Sequence, residues 1–186
     1  MKYYLLTIRV VALTFSLLLF VSCVSDVDFD QTQDVTITPT VDASLIFFTI
    51  DTSDFESVDT EEAVITVRDT TRLEFLNDDF IRENLREVTL DFQVDNTFGQ
   101  SLVNRVAFIN NAGEEQLVVL FEITSSPDGS VQRTEFTQVL NEDDIQAISN
   151  ANQLANEVIL MTNGASINGE LSLQSKALYS LDFSDL

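Results

Sequence analysis

The chain has no histidine and no tryptophan, a single cysteine, and only nine basic residues among 186. Each shortage removes a class of chemistry. Without histidine there is no Ser-His-Asp or Cys-His catalytic set and no histidine-ligated zinc or iron. One cysteine forms neither an intrachain disulfide nor a thiolate metal cluster. The five glycines contain no G-x-G-x-x-G and no phosphate-binding loop. Lack of tryptophan removes the usual stacking platform for sugar rings. Lysine and arginine are outnumbered by 31 aspartates and glutamates, for a net charge of −22. Such a surface repels nucleic-acid phosphates and anionic headgroups, which argues against nucleic acid as a partner. Carboxylates are the one catalytic group present in number, so a two-carboxylate hydrolase is the enzymatic class left open. No spacing marks out a pair, and the expectation is a protein with no catalytic residues, no metal site and no cofactor.

What is present starts at the N-terminus. Lys2 and Arg9 precede residues 10–21, an apolar run of 12 interrupted only by Thr14 and Ser16. As a helix this run reaches ~18 Å, short of a bilayer core of about 30 Å. A charged front, a short apolar stretch and the small Ser22 before Cys23 are the parts of a secretory signal. Leu17-Leu18-Leu19-Phe20-Val21-Ser22-Cys23 resembles a bacterial type II signal peptide with its lipobox, with Phe20 where leucine is usual. The resemblance implies acylation of the Cys23 thiol and removal of residues 1–22. Losing Lys2 and Arg9 takes the net charge from −22 to −24. Each buried acyl methylene adds ~0.8 kcal/mol of membrane affinity, so the two or three chains of such a lipoprotein anchor it permanently.

The next residues, Val24-Ser25-Asp26-Val27-Asp28-Phe29-Asp30, are similar to the acidic export signal that follows the lipidated cysteine in surface lipoproteins of the Bacteroidota, of flavobacterial type. That resemblance implies Ser25, Asp26, Asp28 and Asp30 as export determinants, and Val24 fits outer-membrane sorting over inner-membrane retention. A solvated acidic tether over residues 23–39 explains the same composition. The D-x-D-x-D spacing also matches the start of a calcium loop, but Gln31 and Ile37 stand where an EF-hand needs glycine and glutamate.

From residue 40 onward, period-two alternation dominates. Leu171, Leu173, Ser175, Ala177, Tyr179, Leu181 and Phe183 fall on one face of a strand, with Gln174, Lys176 and other polar residues opposite. Residues 88–95 repeat the pattern without error, and residues 65–75 and 117–123 follow it. The nearly continuous apolar run at 45–50 reads as a central strand. Asn110-Asn111-Ala112-Gly113 marks a hairpin, Ser126-Pro127-Asp128-Gly129 a turn, and Asn163-Gly164 and Asn168-Gly169 bracket the loop before the last strand. Two short helices are expected. One is capped by Asn77 with Asp78 and Asp79 in its first turn; the other is capped by Asn141 ahead of Glu142-Asp143-Asp144. These acids are read as helix-end groups in preference to rim calcium ligands. The expected fold is an all-β, mainly antiparallel β-sandwich of about eight strands with two short helices, forming a single domain over residues 40–186. Residues 152–186 resemble the end of many bacterial lipoproteins with all-β ectodomains.

The functional expectation is a non-enzymatic protein held to the outer membrane through its lipid, whose domain binds a partner, an outer-membrane protein or assembly. Carriage of a lipid or other apolar ligand between the sheets is the alternative. Most phenylalanines fall at inward strand positions, where core packing is their first role.

Overall fold

The alternation becomes eight antiparallel strands in two four-stranded sheets. The computed structural model describes residues 38–55, 64–73, 78–162 and 166–182. The strands are β1 (Thr40–Asp51), β2 (Val64–Arg72), β3 (Leu85–Asn96), β4 (Ser101–Ile109), β5 (Glu115–Ile123), β6 (Gln132–Val139), β7 (Gln153–Met161) and β8 (Glu170–Leu181). Helix α1 (Asp79–Asn84) leads into β3, and α2 (Glu142–Ile148) lies between β6 and β7. Sheet A runs β1-β8-β3-β6 and sheet B runs β2-β7-β4-β5. The protein is a β-sandwich, as its alternation implies. Among the described residues no helix is long and apolar enough to cross a membrane.

The inner face of β8 carries the side chains its spacing assigns to it. Leu171, Leu173, Ser175, Ala177, Tyr179 and Leu181 are all buried, while Gln174 and Lys176 face solvent. Leu90, Phe92 and Val94 of β3 lie beside them, and Leu154, Val158 and Leu160 of β7 belong to the same core. Phe92, Phe121 and Phe136 bind the two sheets together along the β5–β6 side. The Phe121 and Phe136 rings stack at 4.7 Å and Phe92 lies 5.2 Å from Phe121, the close ring geometry that adds to simple area burial. Burial pushes the Tyr179 phenol up to about 12.

The run at 45–50 departs from expectation. It belongs to β1, an edge strand of sheet A, and not to a central strand. Its lack of alternation comes from a β-bulge: Ser44 pairs with Lys176 and Ile46 with Ser175, so Leu45 is an extra residue. Before it Val41 and Ala43 pack against the core; after it Ile46, Phe48 and Ile50 do. Two registers of opposite parity, joined at Leu45, give a continuous apolar run in the sequence. Phe47 then points outward and is 75% exposed.

The helix ends follow local chemistry. Asp78 caps α1 by accepting from the Phe80 and Ile81 amides, where Asn77 was the expected cap; Asn77 lies outside the described residues. Leu85 follows the helix directly and begins β3. Asn141 caps α2 in a reciprocal capping box with Asp144, satisfying donors that the helix start leaves open. This second helix packs on β3 and β5, one from each sheet, with Ile148 fully buried, so it closes one end of the sandwich. Gly113 (φ 81°) and Gly129 (φ 75°) occupy the positive-φ positions of the two expected turns. The Asn163-Gly164 turn and Phe183 fall outside the described residues.

Candidate functional site: a concave outer face on sheet A

The register of sheet A determines which outward side chains meet. Phe47, Gln174, Gln93 and Glu135 form one cross-strand row over all four strands. Ser44, Lys176, Asp91 and Thr137 form the next. With strands ~4.8 Å apart and same-face residues ~7 Å apart, the two rows cover about 14 Å by 7 Å. Together they line a half-open concavity of about 540 Å³, within the size range of small-molecule sites.

The bulge at Leu45 builds this surface. It turns Phe47 to the outer side and leaves the Ile46 amide facing the buried Ser175, whose hydroxyl accepts from it at 3.1 Å. That bond explains the single polar residue on the apolar face of β8. A bulge also sharpens local twist and bend, which hollows the sheet beside it.

The polar groups differ in how far the protein already engages them. Thr137 Oγ1 donates to Asp91 Oδ1 at 2.7 Å, fixing one carboxylate oxygen. Lys176 Nζ sits 3.5 Å from Asp42 Oδ2, at the hollow's edge. Among the described residues, no hydrogen bond engages the side chains of Gln93, Gln174 or Glu135. One row further on, Arg133 grips Asp95 through two bonds of 2.7 and 2.8 Å. This hydrogen bonding holds the Asp95 carboxyl below the usual carboxylate range, with the nearby guanidinium charge adding to it against a small burial cost. Arg105 is likewise occupied, between Glu157 at 3.0 Å and Glu115 at 2.6 Å on sheet B. Among the described residues, Lys176 is the one cation lining the hollow.

The sequence-derived site residues lie elsewhere. Cys23 and the export positions Ser25, Asp26, Asp28 and Asp30 fall outside the described residues. Glu142, Asp143 and Asp144 occupy the first turn of α2, as expected from the capping pattern. Asp91, Gln93, Gln174 and Lys176 were legible as outward positions on their strands. What was missed is their convergence with Phe47, Glu135 and Thr137. The β1 signal was hidden by the bulge, and a polar strand such as β6, with Phe136 as its single apolar inward residue, carries almost no periodic signal.

No family model and no curated protein matches the chain. Among solved structures, it is similar to VP2 of infectious bursal disease virus, in its subviral particle, at 10% identity and a TM-score of 0.46, over 82% of this chain and 34% of that one. A Parabacteroides distasonis protein inferred to be secreted aligns at 12% identity and a TM-score of 0.42, over 60% of this chain and 37% of its own. The enzymatically active domain of bacteriophage CBA120 tailspike protein 4 aligns at 12% identity and a TM-score of 0.37, over 81% and 19%. The chain spans about a third of the length of the viral proteins it matches.

Proposed function

We propose that this protein is a lipid-anchored component of the bacterial outer membrane whose β-sandwich is a non-enzymatic binding module, and that the hollow on sheet A is its binding surface. The observation that carries the binding reading is the hollow itself: about 540 Å³, with an exposed phenylalanine at one edge and uncommitted amides on its floor. Anchoring rests on the lipobox-like residues 17–23 and the acidic residues after Cys23. Carriage of an apolar ligand between the sheets finds less support, because that space holds Leu90, Val94, Leu154, Val158, Leu160 and Leu171, all 0% exposed.

Two experiments test the two halves. Acyl labelling in a bacterial host should mark the wild type and leave Cys23→Ser unlabelled and unprocessed; equal labelling would refute the anchor. For the surface, a photo-crosslinking amino acid in place of Phe47 should capture a recurrent envelope component in intact cells. The same probe in place of Val118, on sheet B, should not. Identical products from both positions would remove the hollow as the binding surface.

A hydrolytic reading has one observation in its favour: Asp91 and Glu135 share the hollow from neighbouring strands, one row apart. Release of new reducing ends from an oligosaccharide, lost on Asp91→Asn, would establish it.

A further inference from the structure

Resting on the reading of the hollow as a binding surface, we infer that its ligand is a neutral, polyhydroxylated chain, an oligosaccharide of about three contacted units. The argument starts from what a sheet face can offer. The backbone groups of β8 and β3 are spent on neighbours at both sides, so only side chains are available here, and an extended peptide pairing through its main chain has no partner on this face. The ligand must therefore bring its own dense donors and acceptors. Gln93 and Gln174 stand directly opposite each other on adjacent strands, each able to donate twice and accept twice, with neither side chain engaged among the described residues. Glu135 follows on the next strand as a pure acceptor, and Asp91 keeps acceptor capacity beyond its bond from Thr137. Vicinal hydroxyls, each both donor and acceptor, match this mixture.

Charge narrows the class further. Asp91 and Glu135 line the hollow and Asp42 adjoins it, against the single ammonium of Lys176, itself 3.5 Å from Asp42. Phosphorylated or uronic-acid ligands meet net repulsion, whereas neutral hydroxyls can donate to the carboxylates. Phe47 supplies the remaining requirement. Its ring is 75% exposed at the end of the amide row, and gives the apolar C–H face of a sugar ring a surface to cover. In a chain without tryptophan this phenylalanine takes the platform role. The row length of about 14 Å matches roughly three sugar units, from the strand spacing.

The test uses the full lipoprotein in a zwitterionic detergent, chosen because sugar-headed detergents would compete. Probes are cellohexaose, maltohexaose, mannohexaose and xylohexaose, with hexagalacturonate, hexalysine and oleate for comparison. Side-chain amide NMR signals of Gln93 and Gln174 report occupancy, and calorimetry gives Kd. At least one neutral hexasaccharide is expected to shift both amides. Phe47→Ala, and the double variant Gln93→Ala with Gln174→Ala, should each weaken that binding tenfold or more while leaving Tm within about 3 °C, as expected for surface substitutions. Unchanged affinity in both variants would overturn the proposal. Shifts produced only by hexagalacturonate, hexalysine or oleate would overturn the ligand class and leave the binding surface standing. Silence from the whole panel, with a specific crosslink still formed from position 47, has the same meaning; silence in both assays overturns class and surface together.

Discussion

Replacing Ser175 with alanine examines the bulge that shapes the hollow. The Ser175 hydroxyl is buried on the inner face of β8 and accepts from the Ile46 amide at 3.1 Å. Alanine fills nearly the same space, so no cavity opens and the effect reduces to one lost acceptor. A buried amide left without a partner costs about 1–3 kcal/mol. The backbone at an edge strand has some access to water, which favours the lower half of that range, about 1–2 kcal/mol. For a domain of this size that corresponds to a fall in Tm of roughly 2–8 °C. Urea denaturation of wild type, Ser175→Ala and a control, Ser172→Ala, measures it. Ser172 lies on the outer side of the same strand with no hydrogen bond to its hydroxyl among the described residues, and its loss should change stability by less than about 0.5 kcal/mol. A second background sharpens the test. With Leu45 deleted no extra residue remains, the Ile46 amide pairs as its neighbours do, and the Ser175→Ala cost should shrink toward the control's. If Ser175→Ala is no less stable than Ser172→Ala in the intact chain, the hydroxyl does not support the bulge and the account of β1 fails.

Three further outcomes follow from the same physics. Asn104 and Asn156 are fully buried and joined by one 3.0 Å bond, which leaves Asn104 Oδ1 and Asn156 Nδ2 without partners among the described residues. Either single leucine replacement should cost about 1–3 kcal/mol by orphaning the other amide, while Asn104→Leu with Asn156→Leu should match or exceed wild-type stability in chemical denaturation. Gly169→Ala would place a Cβ 2.8 Å from the Phe98 ring and amide at a φ of 152° that L side chains rarely adopt; calorimetry should show a loss of about 1–3 kcal/mol from overpacking and backbone strain, larger than for Gly99→Ala, where the added carbon comes no nearer than 3.4 Å to its neighbours. Asp95 titrates below its ordinary value in the folded state because of Arg133. Its stabilisation is thus present above a pH of about 4 and is lost as pH falls through the lowered folded-state value. Asp95→Asn should be less stable than wild type by under ~1 kcal/mol at neutral pH, as for a largely solvated ion pair, with the difference vanishing in acid-denaturation curves below that value.

Where one face of a strand is apolar and the other polar, the fold could be read directly. β8, β3 and β5 lie as their alternation demands, because a slip of one residue would expose the whole apolar set. The cap at Asn141 and the turns at Gly113 and Gly129 were legible for a similar reason, since few residues satisfy those backbone geometries. β1 was misread because its apolar residues switch faces at Leu45, and the bulge that causes this depends on a partner, Ser175, 129 positions away. β6 left no trace because Phe136 is its single apolar inward residue. The hollow combines both blind spots: it is built from register across four strands, a long-range property that no local pattern encodes.

The order of the strands bears on when this protein can fold. The central strands β7 and β8 follow every other described strand in the chain, yet β7 joins β2 to β4 and β8 joins β1 to β3. Until residues 153–181 are available, β1 and β2 have no hydrogen-bonded neighbour among the described strands, and each sheet can exist only as a pair, β3 with β6 and β4 with β5. Pairings such as Val41 with Tyr179 close loops of well over a hundred residues, which makes folding slow in comparison with local hairpins. A chain emerging N-terminus first lacks a central strand of each sheet until its last strands arrive, and only then can it complete both sheets. On the proposed reading of residues 1–22 as a secretory signal, that timing would keep the fold from forming before passage across a membrane.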